Sequence, residues 1–130
     1  MPKQHAILAF IVTVFSLPAL AVEYSCEVTR KLDVERDYTA EQISKFQYSN
    51  RLEESSDASF VSRCSFAQSV GRVTCDRYKI DRVEFDANAR IKKFYVFRSQ
   101  FDFQLFPDLS FVENTGRGGV SYGKCKVVSP

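Results

Sequence analysis

Catalysis at neutral pH most often relies on an imidazole or a thiolate, and this chain is poor in both. Its one histidine is His5, inside a segment that reads as a cleaved export signal, so the mature protein is expected to hold no imidazole. The four cysteines, Cys26, Cys64, Cys75 and Cys125, read as two disulfides in an exported chain of this size. That excludes Ser-His-Asp and Cys-His catalysis and any zinc site that needs histidine. Paired carboxylates could still hydrolyse a glycan, but with 16 acids no spacing singles out a pair. The reading is therefore of a chain that is not an enzyme and takes no cofactor and no metal.

The best candidate for a site is the glycine-rich stretch Asn114-Thr115-Gly116-Arg117-Gly118-Gly119. Gly116 and Gly118 free the backbone to take left-handed conformations, which would present Arg117 almost alone on a projecting loop. A guanidinium binds a carboxylate or phosphate in bidentate fashion, and Tyr122 would supply an aromatic anchor beside it. The spacing is not that of a nucleotide-binding loop. Asp33-Val34-Glu35-Arg36-Asp37 has the alternating acids of a calcium loop, but Tyr38 stands where that loop needs glycine. Glu53, Glu54 and Asp57 read as a solvated acidic turn. Arg90, Lys92, Lys93 and Arg98 surround aromatics as single-strand nucleic-acid platforms do. The net charge of +2 is too small for a nucleic-acid footprint.

Residues 1–21 carry the three parts of an export signal: Lys3, then an apolar run from Ala6 to Leu17, then Pro18 and the small-x-small triplet Ala19-Leu20-Ala21. The run is too short to span a bilayer, which takes about 20 apolar residues. Cleavage after Ala21 would leave no membrane anchor and place residues 22–130, a single domain, in the periplasm or the medium.

The elements that must position these residues are strands. The chain holds 12 phenylalanines and 6 tyrosines, 1 methionine and no tryptophan, and over residues 22–130 the 31 valines, isoleucines, phenylalanines and tyrosines outnumber the 9 alanines and leucines. Such side chains suit a pleated, half-buried surface. Period-two alternation starts at Glu23–Leu32, with Tyr24, Cys26 and Val28 facing in, and recurs over Phe46–Glu53. Further strand-like runs lie at Ala58–Phe66, Arg72–Ile80, Arg82–Asp86, Arg90–Ser99, Phe101–Phe106, Leu109–Glu113 and Val120–Val128. Thr39 and Gln42 have capping-box spacing and predict one short helix at 39–45. The expected fold is mostly β, an antiparallel β-sandwich or small closed barrel of about eight strands.

Position selects the disulfides. A hairpin centred on Ser69-Val70 sets Cys64 opposite Cys75. Cys26 and Cys125 lie where first and last strands of a β fold meet. The expected pairs are Cys64–Cys75 and Cys26–Cys125.

The format is similar to that of periplasmic lysozyme inhibitors and of immunity proteins that neutralise wall-degrading toxins. The Ser-Gly-x-x-Tyr loop of the C-type lysozyme inhibitors is absent, Gly119–Lys124 holding the same residue types in another order. The expected function is a protein-binding module, an inhibitor or immunity protein, with residues 114–122 engaging another protein that carries an acidic cleft. No nucleic-acid partner is expected, and the assembly is read as monomer or homodimer. The alternative is a β-barrel carrier of a small apolar ligand or lipid.

Overall fold

The computed structural model of the chain describes residues 9–15 and 21–129. Most of the export-signal segment thus lies outside the described residues, and 9–15 form no regular element. The remainder is nine antiparallel strands and one short helix. The strands are β1 (Ala21–Leu32), β2 (Ser49–Ser55), β3 (Phe60–Ala67), β4 (Arg72–Lys79), β5 (Arg82–Asp86), β6 (Ile91–Val96), β7 (Phe101–Leu105), β8 (Ser110–Asn114) and β9 (Val120–Ser129). A cut after Ala21 would remove only the first β1 pair, Ala21 with Ser55.

The helix α1 (Ala40–Phe46) follows from its ends. The Gln42 N–H donates to the Thr39 hydroxyl, and the Thr39 N–H donates to the Gln42 side chain, which closes the expected capping box. Gln47 ends the helix in a left-handed conformation at φ 49°. This last turn takes Phe46, so β2 begins at Ser49 rather than at Phe46 as the alternation suggested.

All nine strands belong to one sheet, ordered β4-β3-β2-β1-β9-β8-β7-β6-β5. Two meanders, β1–β4 and β5–β9, meet where β1 pairs with β9. The sheet curls into a half-barrel, in place of the expected sandwich or closed barrel of about eight strands. The reason lies at Ile80 and Asp81. Ile80 N–H donates to Ser59 O, prolonging the β3–β4 ladder, and Asp81 N–H donates to Tyr95 O, opening the β5–β6 ladder. With no glycine or proline to fold it back, the chain leaves one edge of the sheet and enters the other with only a bend at Asp81. β4 and β5 therefore run on from each other and both remain edges.

The concave face holds the core. Leu52, Val61, Phe94, Phe103 and Phe111 are fully buried there, with Phe103 and Phe111 stacked at 5.0 Å. Gly123 lies opposite Phe111 and Val28, where a Cβ would meet the Glu27 carbonyl and the Phe111 ring. Contacts across the concave face tie the two meanders together. Tyr78 of β4 packs edge-on against Phe101 of β7 at 5.1 Å, and Lys92 of β6 pairs with Glu54 of β2 at 2.7 Å. Both expected disulfides are present. Cys26–Cys125 staples β1 to β9, and Cys64–Cys75 bridges the facing residues of the β3–β4 hairpin. Their presence points to an oxidising compartment. No helix among the described residues is long and apolar enough to cross a membrane.

Candidate functional site

The β8–β9 connection is built as a tight loop. The Thr115 hydroxyl accepts the N–H groups of Arg117 and Gly119, and the Asn114 side chain accepts that of Gly116. Gly116 and Gly118 take positive φ of 69° and 87°, as their glycines suggested. They do not leave the loop standing free, however. A Cβ on Gly116 would strike the carbonyl oxygen of Gln100 in the β6–β7 turn, and one on Gly118 would strike Val34 in the 33–38 loop. The glycines thus let three segments lie against one another as one surface.

Arg117 is exposed on that surface and makes no ion pair among the described residues. Val34, 84% exposed, packs against the neighbouring Gly118, and Phe97, 58% exposed, opens the β6–β7 turn that Gly116 touches. Tyr122 lies on the outer face of β9, where the Arg30 guanidinium sits 5.8 Å from its ring centre. Arg36 stacks over Tyr38 at 4.5 Å. Asp33 spends its carboxylate on its own loop, accepting the N–H groups of Glu35 and Arg36. The first of these bonds above all, opposed by desolvation and aided by the second, holds its carboxyl below the ordinary value. Arginine and aromatic residues in one exposed cluster are the composition of binding hot spots.

Under this surface lies a polar pocket of about 210 Å³. Its floor is a row of facing residues, Lys31 of β1, Ser121 of β9 and Glu113 of β8. Glu113 is only 3% exposed. Its Oε1 forms an ion pair with Arg63 Nε at 2.6 Å, and its Oε2 accepts from the buried Asn50 amide. Lys31 Nζ donates to the buried Ser121 hydroxyl at 3.3 Å and lies 5.0 Å from the Tyr48 ring centre and 5.7 Å from that of Tyr38. Burial pushes the Lys31 ammonium below the ordinary lysine value. Glu113 opposes that shift, and Arg63 adds to it.

No protein-family model, curated protein or solved structure matches the chain. The site must speak for itself.

Lys31 reaches the interior through a bulge. The β1–β9 register slips between Val28 and Arg30, so Thr29 and Arg30 are both exposed while Val28 and Lys31 both face in. A bulge adds one residue and reverses the facing of all that follow. Strict alternation from Tyr24 would have turned Arg30 inward and Lys31 out. Asn50, Arg63 and Glu113 carried a readable signal, each lying two residues from a core side chain, Leu52, Val61 and Phe111. The other charged groups singled out by sequence lie elsewhere. Glu53 pairs with Arg77, and Glu54 with Lys92.

Proposed function

We propose that the chain is an exported protein-binding module that docks on another protein through its loop end, as an inhibitor or immunity protein would. The observation that carries this reading is the close packing of Gly116 on Gln100 and of Gly118 on Val34. It holds the Arg117 loop against Val34 and the β6–β7 turn as one pre-organised surface, and pre-organisation lowers the entropy lost on binding. The two disulfides and the signal-like pattern of residues 1–21 support a periplasmic or secreted setting. Arg117, without an ion-pair partner of its own, is the group to meet an acidic cleft, with Tyr122 at the flank beside Arg30. A carrier of apolar ligands would need an empty apolar interior, and this one is filled by Phe94, Phe103 and Phe111.

The test is a binding titration of the oxidised protein against purified wall hydrolases, lysozymes included. Arg117→Ala and Val34→Asp are each expected to weaken the complex by about 2 kcal/mol, roughly 30-fold, as hot-spot residues do. Equal affinity of both variants and the parent for the same enzyme would remove the loop end from the interface.

A further inference from the structure

The hydrogen-bond balance of the pocket is uneven. Lys31 Nζ has three N–H groups, and the one acceptor it meets among the described residues is Ser121 Oγ. Arg63 has five donors; its Nε is spent on Glu113, and its terminal nitrogens find no acceptor among the described residues. Each oxygen of Glu113 already faces one of its neighbours, Arg63 and Asn50. The Ser121 hydroxyl, having accepted from Lys31, still has its own hydrogen to donate. The remaining carboxylate on the lining is Asp76, on the exposed edge strand β4 and in no ion pair among the described residues. Two cations, Lys31 and Arg63, thus stand with two carboxylates, Glu113 at the floor and Asp76 at the exposed rim opposite Arg63, and unspent donors face a cavity that opens to solvent.

We infer that this pocket binds a single carboxylate group, held between Lys31, Arg63 and the Ser121 hydroxyl. A carboxylate suits these three donors with a single added negative charge, whereas a phosphate dianion would bring two beside Glu113 and Asp76. The Tyr38 and Tyr48 rings keep water from the ammonium and hold it in place. The pocket, about 210 Å³, exceeds the roughly 150 Å³ that accommodates a benzene ring, so the carboxylate has room for a short carbon chain. It can arrive on a small organic acid or on an acidic side chain of a partner protein. The site itself stands on the pocket alone, and the second source rests on the docking reading above.

The experiment titrates the ¹⁵N-labelled, oxidised full chain with sodium acetate, with sodium chloride at equal ionic strength as reference, and follows the amides of Lys31, Arg63 and Ser121. Saturable shifts confined to the pocket are expected with acetate. Lys31→Met should weaken acetate at least ~10-fold, the worth of a charge-assisted hydrogen bond, while Lys31→Arg keeps most of the affinity. Shifts that stay linear in acetate, or that persist unchanged in Lys31→Met, would overturn the inference. A blocked Gly-Glu-Gly peptide separates the sources. Competition with acetate assigns the pocket to a partner's side chain. Acetate binding without peptide competition assigns it to a free acid, and leaves the docking surface to its own test.

Discussion

Replacing Cys26 and Cys125 together by alanine is expected to remove about 5 kcal/mol of stability. The bond closes a loop across a sequence separation of 99, and the chain-entropy cost of that loop in the denatured state is lost when the bond is absent. Its place in the fold adds to the effect. The meanders β1–β4 and β5–β9 are joined by the β1–β9 ladder and by the short link at Ile80 and Asp81. Cys26–Cys125 sits on that ladder with Cys26 fully buried. A domain of this size has a total stability of about 5–15 kcal/mol, so the variant should be largely unfolded or close to it. Urea unfolding checks this, with the Cys64→Ala/Cys75→Ala variant alongside. The shorter loop, a separation of 11, should cost about 3 kcal/mol. A loss below ~1 kcal/mol for the long-loop variant would mean that the denatured chain already holds its ends together.

Glu113→Ala comes next in size, with an expected loss of about 3–5 kcal/mol. The substitution leaves Arg63 without its carboxylate and the Asn50 amide, 3% exposed, without an acceptor. Arg63 also lies 5.5 Å from the Phe101 ring centre, so the stranded guanidinium remains next to the core. The pair joins β3 to β8 across the concave face, and its loss loosens the two meanders where no β4–β5 ladder holds them. Breaking one partner of a buried pair costs more than replacing both. Arg63→Met/Glu113→Leu should therefore recover much of the loss, and a double-mutant cycle by urea unfolding should show strong coupling. A Glu113→Ala variant within ~1 kcal/mol of the parent would show that the carboxylate is solvated and the pocket floor misplaced.

The parts of this fold legible in sequence were those set by local rules. Cys64 and Cys75 face each other because a hairpin about Ser69-Val70 fixes that register. Thr39 and Gln42 announced the helix through two reciprocal bonds. The strands followed from alternation, although Phe46 alternates with Tyr48 and still belongs to the helix. Curvature was not legible, because an open half-barrel and a closed barrel share the same alternation. What separates them is the missing turn at Ile80-Asp81. The exposed Val83 and Phe85 are a consequence. They lie on the core side of the sheet, opposite Phe94 and Lys92, at an edge that no strand covers.

The candidate site divides in the same way. Gly116, Arg117, Gly118 and Tyr122 stood out by type. Their neighbours Val34 and Gln100 did not, since contacts between distant loops leave no trace in local spacing. The pocket beneath draws its residues from β1, β2, β3, β4, β8 and β9. Charged residues on strands ordinarily face water, so only their spacing of two from Val61 and Phe111 marked Arg63 and Glu113. Lys31 was hidden by one extra residue in β1.

The most direct test of the loop-end pocket is the ionisation of Lys31, followed through its side-chain ¹³Cε signal in the oxidised full chain. Burial in the pocket should make Lys31 lose its proton at lower pH than the ordinary lysine value. A folded pKa below the unfolded one means that the folded state releases the proton first. This group's cost to stability is then full at neutral pH and fades as pH rises through that window. Sodium acetate should move the midpoint back up, because a carboxylate beside the ammonium favours its charged form. A Lys31 that keeps its proton up to the ordinary lysine value, and ignores acetate, would contradict the account.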